Sequence, residues 1–440
     1  MSIQTTKELL DFIHESPTAF HAAMHACDML EEQGATVLSE GEKWNLEKGK
    51  SYVVTRNSSS VIAFHVGEEV SEDYSFNVVA AHTDSPTFKI KENGELSVKD
   101  KYMQLNTEGY GGMICASWFD RPLSVAGRVI VKDGDTLTTR LLTIDKDLCV
   151  IPNVAIHFNR QVNDGYAYNK QIDLLPLISG AEGKEGDLKA LIAKTLGVEE
   201  QAIAGSDLML YNRMPGTIWG ARDEFVSCGR LDDLQCAFSG LKAFMNGGHP
   251  KSVTVLAVFD NEEVGSLTKQ GADSTFLEDV LTRVHEALGY AHEDLYRAIA
   301  SSFLVSADNA HAVHPNHPEK TDVNNCVYMN EGVVVKSHAG QKYTSDGMSI
   351  AAFRQFAKKA GVPLQYFANR SDAAGGSTLG NLAMNHVSMN AVDIGAPQLA
   401  MHSAWETAGV KDTKMMIDVM SAFYHSHLTS ARSGTITIED

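Results

Sequence analysis

Phe76-Asn77-Val78-Val79-Ala80-Ala81 runs directly into His82-Thr83-Asp84-Ser85-Pro86. The first stretch is almost wholly apolar and does not alternate, the pattern of a strand buried on both faces. Asp84-Ser85-Pro86 ends it in a turn. The pattern recurs downstream. Val253-Thr254-Val255-Leu256-Ala257-Val258-Phe259 is a second apolar run, and further strands are expected over 302–306 and 387–394. Leu234, Phe238, Leu241 and Phe244 lay an apolar stripe along one helix, with others expected over 349–360 and 414–429. Strands and helices thus alternate after Arg222. This predicts an α/β fold whose largely parallel or mixed sheet is covered by helices on both faces. Near the start, Ser16 as N-cap and Pro17 at the first helical position predict a helix carrying Phe20, Met24, Cys27 and Leu30.

The texture differs from about Lys89 to Trp219. Val129 to Asp135 and Leu137 to Ile144 read as a hairpin with an Asp-Gly turn, and one helix is expected over 187–196. Short strands and glycine-rich turns dominate, which predicts a β-rich domain inserted into the α/β one.

The chain has 440 residues, 43% of them hydrophobic, and a net charge of −19. Its length allows two or three domains. The acidic field disfavours nucleic acid and anionic lipid as partners. An acidic substrate would need a local basic pocket against that field. No apolar run approaches the ~18 residues of a membrane span. The N-terminus lacks a basic region followed by an apolar stretch, so no targeting signal is expected. Six cysteines without C-x-x-C spacing read as buried free thiols of a reducing compartment, and the expected localisation is cytoplasmic.

The chemistry-bearing residues fall at the expected strand ends. His82 and Asp84 follow the first strand, Glu262 and Glu263 the second, Asp308 the third and His402 the last, while Asp232 stands at a helix start. In open α/β sheets ligands bind beyond the carboxyl ends of strands, so one crevice could gather these groups. Singly, each has an ordinary reading: a surface histidine, a solvated Glu-Glu pair, a helix cap. Jointly they match a zinc site, which takes imidazole nitrogen and carboxylate oxygen. Two ions roughly 3.5–4 Å apart need a shared carboxylate. The His82-Thr83-Asp84 spacing suits Asp84 to orienting the imidazole. Adjacent glutamates can divide labour, one ligating and one acting as general base.

At these residues the chain resembles the aspartyl aminopeptidase family of dinuclear zinc metallopeptidases. The resemblance rests on Ala81-His82-Thr83-Asp84-Ser85-Pro86, Gly229-Arg230-Leu231-Asp232-Asp233 and Asp260-Asn261-Glu262-Glu263-Val264-Gly265-Ser266. It continues through Ser306 to Asn316 and Pro397 to Ser403, in the family's order. It implies a cytoplasmic hydrolase, a metalloprotease that removes N-terminal residues from peptide substrates, acidic ones preferentially. It implies two zinc ions (Zn2+) per subunit, with Co2+ or Mn2+ as possible substitutes. His82, Asp232 and Asp308 would hold one, and Asp232, Glu263 and His402 the other. Glu262 would be the general base and Asp84 would orient His82. Lys336 and Tyr343 resemble residues lining the pocket for the first side chain, and His157, in an apolar strand-like run, resembles a histidine that enters a neighbouring subunit's site. The implied catalytic domain is discontinuous, residues 1–86 and 220–440, around an assembly domain of residues 87–219. The implied assembly is a tetrahedral homododecamer built from dimers. The rivals are an aminopeptidase with neutral or apolar preference, a carboxypeptidase or deacylase of the same metal class, and a non-catalytic shell protein that keeps the fold.

Overall fold

The structure is a computed structural model that describes residues 2–440. Its largest sheet has nine strands, in the spatial order Thr36–Leu38, Ser51–Arg56, Ser60–Val66, Val253–Phe259, Phe76–His82, Phe303–Ala307, Asn390–Gly395, Val333–Lys336 and Leu364–Phe367. The four strands from Val253–Phe259 to Asn390–Gly395 are mutually parallel. Antiparallel neighbours flank them, so the sheet is mixed.

The apolar runs that mark these strands are buried on both faces, and the period of two sorts their residues between two cores. Val79, Ala81, Leu256 and Val258 pack with helices Ser2–His14, Ala19–Glu32, Leu231–Met245, Gly347–Ala360 and Asp412–Tyr424. Val78, Ala80, Val255 and Ala257 face the opposite way, toward Phe276–Leu288 and His292–Ser301. Among the described residues no helix is long and apolar enough to cross a membrane.

The second sheet is wholly antiparallel and has six strands, all between Thr87 and Asn212. Its hairpin joins Leu123–Asp133 to Thr136–Thr143, with Gly134 at φ 58 in the turn, and its one α-helix is Asp187–Leu196. A smaller five-stranded sheet, Thr217–Trp219, Phe225–Cys228, Glu406–Gly409, Pro397–Leu399 and Ala310–His311, lies beside the carboxyl ends of the large one. Residue 219 therefore ends a strand paired with Phe225–Cys228.

Some local expectations shift. The helix expected from Ser16 begins at Ala19, with Thr18 at the N-cap position but making no side-chain cap bond, and Ser2–His14 is a further helix before it. Thr18 bonds His21 Nδ1 at 2.8 Å, while Ser16 is buried without a bond to its hydroxyl. The last helix stops at Tyr424 rather than 429, because Asn77 Nδ2 donates to the Ser426 carbonyl at 2.6 Å and His427–Thr429 pairs as a strand with Thr437–Glu439. All six cysteines are free, but Cys115 and Cys326 are only half-buried. The apolar run around His157 is not a strand. Asn153 gives its backbone N–H to Asp120 Oδ1 at 3.0 Å, and the chain turns at Ile156 with His157 exposed.

Candidate metal centre

Three parallel strands of the large sheet deliver His82, Asp308 and the Glu262–Glu263 pair to one crevice. Asp232 follows the small-sheet strand Phe225–Cys228, and His402, expected just after the strand ending at Ile394, lies between the small-sheet strands Pro397–Leu399 and Glu406–Gly409. His82 ends its strand, Asp308 follows Ala307, and the Glu262–Val264 turn follows Phe259. Asp308 donates its N–H to the Ile394 carbonyl at 3.0 Å, and a Cβ on Gly395 would stand 2.0 Å from the Asp308 carbonyl. Only glycine permits that approach. Asp232 and Asp233 open the helix Leu231–Met245 with non-helical backbone, and the peptide bond between them is cis. Arg230, Asn261 and His402 sit at φ 62, 62 and 66, a region costly to non-glycine residues and concentrated at functional sites.

The side chains converge. Candidate ligand atoms of His82, Asp232, Asp233 and Asp308 lie within 4.8 Å of one another, as do those of Asp232, Glu263 and His402, and those of His82, Glu262 and Glu263. Asp232 presents Oδ1 to His82 Nε2 at 3.5 Å and Oδ2 to His402 Nε2 at 3.4 Å. His402 Nε2 is also 3.3 Å from Glu263 Oε1. Ligand atoms about 2.0–2.2 Å from a tetrahedral zinc are spaced by roughly 3.3–3.6 Å, so these separations suit a shared ion without rearrangement. Both imidazoles are oriented by their other nitrogen. His82 Nδ1 donates to the Asp84 carbonyl at 3.1 Å, and His402 Nδ1 to the Gly112 carbonyl. Each Nε2 lone pair is thereby turned inward.

The donor set fits a cation. Asp232 Oδ1, Asp233 Oδ1 and Glu263 Oε1 are buried without a hydrogen-bond donor. Burial first, then the charges of Asp308, Asp84 and Asp232, push the Glu262 carboxyl up to about 8. Burial and the Asp232 charge raise Glu263 well above the usual carboxylate range. Burial also raises Asp308, outweighing the Lys336 ammonium. Burial opposes protonation of His82, but the surrounding carboxylates, Asp233 foremost, carry it well above an ordinary imidazole. Only Asp232, beside the His402 and His82 imidazoles, is lowered against its burial, and such a concentration of buried acids is relieved by a bound divalent ion.

The remaining expected residues are placed as follows. Asp84 does more than face His82. Its Oδ1 accepts the Glu262 N–H at 3.1 Å and its Oδ2 the Glu263 N–H at 3.2 Å, which pins the Glu262–Glu263 turn. Lys336 is 3% exposed, its Nζ donating to the Asp308 carbonyl at 2.8 Å and lying 5.3 Å from the Tyr343 ring centre. His157 stands outside this cluster on its exposed turn. Sequence reasoning named Asp233 only within the Asp232 motif and missed Tyr110 and Gly112. Asp233 was signalled by adjacency to Asp232, whereas the other two lie on the second sheet and carried no local signal.

The description of the aminopeptidase I zinc metalloprotease family (M18) fits residues 12–424 of the chain. A probable M18 family aminopeptidase 2 of Clostridium novyi (strain NT) is 48% identical over 429 residues, 96% of this chain and 99% of that protein. In a cryo-EM structure of an Ape4 and Nbr1 complex, a chain 34% identical has the same fold at a TM-score of 0.92, over 96% of this chain and 86% of that one. The mApe1 of S. cerevesiae, solved as a dodecamer, is 26% identical with a TM-score of 0.82 over 95% of each chain. With nearly its whole length matched, and ligand groups for a metal gathered at the strand ends, the chain belongs to the M18 family and is a zinc metalloaminopeptidase.

Proposed function

We propose that the enzyme is a two-zinc aminopeptidase preferring peptides with an acidic first residue. The observation that carries this reading is Asp232, whose two oxygens face two different imidazoles at 3.5 and 3.4 Å. A carboxylate so placed is the bridge that a pair of ions requires. His82, Asp232 and Asp308 would then hold one zinc, and Asp232, Glu263 and His402 the other. Asp233, buried beside the first group, accepts the His82 backbone N–H at 3.2 Å.

Bound zinc supplies Lewis acidity at the scissile carbonyl and lowers the pKa of water. Glu262 takes the proton of the attacking water on a carboxylate oxygen. It returns that proton to the amine nitrogen as the C–N bond breaks. Asp84 holds the Glu262 backbone for this through the 3.1 Å bond to its N–H. Lys336 and Tyr343 would floor the pocket for the first side chain, the buried ammonium favouring a carboxylate there. Residues 87–219 would form the assembly domain. The exposed run Val154, Ile156 and Phe158 beside His157 supports a subunit contact, as does the dodecamer of the S. cerevesiae relative.

Elemental analysis of enzyme purified without chelator, with a panel of free and acetylated peptides starting in Asp, Glu or Leu, tests this reading. Two divalent ions per chain, cleavage of free but not acetylated peptides, and a higher kcat/KM for Asp and Glu than for Leu peptides are expected. A single ion per chain, or turnover of acetylated peptides, would overturn it.

A further inference from the structure

Glu406 begins the strand Glu406–Gly409, whose antiparallel register sets it opposite Cys228. Cys228 immediately precedes the Gly229-Arg230-Leu231 turn that delivers Asp232. The Glu406 side chain is 1% exposed. Its Oε2 accepts the Asp232 backbone N–H at 3.1 Å, and its Oε1 accepts the His402 backbone N–H at 2.7 Å. No salt bridge among the described residues includes it. A carboxylate buried without a cation is costly, and only specific hydrogen bonds offset that cost.

Both N–H groups it satisfies belong to backbone outside regular structure. Asp232 has ψ 107 inside a helix, and His402 has φ 66. Neither donor has a helical or ladder partner to fall back on, and an apolar residue at 406 would leave both unpaired in the interior. One carboxylate group has a fixed bite, so the two bonds together set the distance between the Asp232 and His402 backbones. Asp84 treats the Glu262 and Glu263 N–H groups in the same way from the other side of the crevice.

We propose that Glu406 is a positioning residue for the zinc centre, a clamp that holds the shared ligand Asp232 and the ligand His402 in register. The proposal rests on the ligand assignment above. Its consequence is selective. The Asp232/Glu263/His402 site depends on both clamped residues, whereas the His82/Asp232/Asp308 site depends on one. Loss of the clamp therefore loosens the first more than the second.

The test is competition for zinc with a chromogenic chelator of known affinity. Wild type, Glu406→Gln, Glu406→Asp and His402→Ala are compared, each as the full assembled enzyme. Gln keeps the size but turns an amide N–H2 against one of the two donors. Asp keeps the charge but is too short to reach both. Each Glu406 variant is expected to weaken, on the order of 10–100-fold, the zinc that His402→Ala loses, the usual effect of losing a group that orients a ligand. The other zinc should shift far less, and the Tm of the zinc-loaded protein little. Wild-type affinity in Glu406→Asp beside equal weakening of both ions in Glu406→Gln would show that charge matters rather than the clamp, and would overturn the proposal. Unchanged affinity in both variants, with one zinc lost from His402→Ala, would overturn it while leaving the ligand assignment intact. Two zincs retained at wild-type affinity in His402→Ala would mean that the ligand assignment itself is wrong, and the clamp would fall with it.

Discussion

The Tyr110 hydroxyl lies 2.6 Å from Asp84 Oδ2, so the last residue of a strand in the six-stranded sheet holds the acid that pins the Glu262–Glu263 turn. The same hydroxyl accepts Asn261 Nδ2–H at 2.8 Å. Two residues on, the Gly112 carbonyl fixes the His402 ring, and Ile114 donates its N–H to the His402 carbonyl at 3.0 Å. The second sheet is therefore part of the catalytic crevice within a single chain.

Tyr110→Phe removes the donor to a buried carboxylate while keeping the ring. A hydrogen bond to a charged group contributes about 1.5–3 kcal/mol. If that energy serves to hold the turn, kcat falls on the order of 10-fold or more, with KM little changed. Steady-state kinetics on the zinc-loaded variant measures it. An unchanged kcat would show that the two N–H bonds hold Asp84 sufficiently.

Glu262→Gln keeps the shape of the side chain and removes its proton acceptor. Turnover is expected to fall on the order of 10²–10⁴-fold while zinc content and Tm stay near wild type. Near-normal turnover in the metal-loaded variant would place the base elsewhere.

Zinc binding should release protons and strengthen as pH rises. Without metal, the Glu262 carboxyl is raised to about 8 by burial and its acidic neighbours, and Glu263 and Asp308 are raised too. His82 is also held protonated by the surrounding carboxylates. Ligation needs Glu263, Asp308 and His82 deprotonated, so affinity declines as pH falls. The protein's own stability runs in the opposite sense. A carboxyl whose folded pKa is raised favours folding fully below its unfolded pKa, and that contribution is lost as pH rises through the folded value. The metal-free enzyme should thus lose stability toward pH 8 where the zinc-loaded enzyme does not. Calorimetry in buffers of different ionisation enthalpy counts the protons, and no release would contradict the protonation described here.

The strand ends could be read directly from the sequence, because a strand buried on both faces leaves an unbroken apolar run and its last residue is evident. His82, Asp308 and the Glu262–Glu263 pair were found that way. Glu406 and Tyr110 were hidden because their partners lie 174 and 26 residues away in the chain and no local period links them. The backbone around His157 reads as strand-like for a related reason. Its apolar neighbours mimic a strand, but Asp120 takes the Asn153 N–H that a ladder would have used. Exposed apolar residues look, in one sequence, like apolar residues of a core.

Lys336→Met tests the acidic preference. Burial alone would lower the lysine pKa, but Asp308 and Asp393 hold it charged. If the ammonium serves the substrate, kcat/KM for Asp and Glu peptides falls on the order of 10–100-fold, the scale of one buried charge-assisted contact, and Leu peptides change little. An equal fall for every peptide would make Lys336 a counterion of Asp308 alone.

His157→Phe separates a shared site from a self-contained one. Val154, Ile156 and Phe158 are 55, 47 and 87% exposed in the single chain, an apolar cluster on a turn that the other described residues leave largely open. If a second subunit covers it, His157 is carried to the neighbour, and the variant should assemble normally yet turn over poorly. Phe adds to an already apolar turn, so assembly should survive. The decisive measurement mixes this variant with Glu262→Gln under conditions of subunit exchange. Each parent is nearly inactive. In a mixed pair, the subunit bearing His157→Phe keeps its own Glu262 and receives His157 from its partner, which completes one site of the two. In a two-fold pair with random exchange, half the pairs are mixed, so activity should recover to roughly a quarter of wild type. Recovery also requires that the histidine acts across the interface rather than within its own chain. If exchange is demonstrated by mass labelling and activity stays at the level of the parents, each subunit's site is complete in itself.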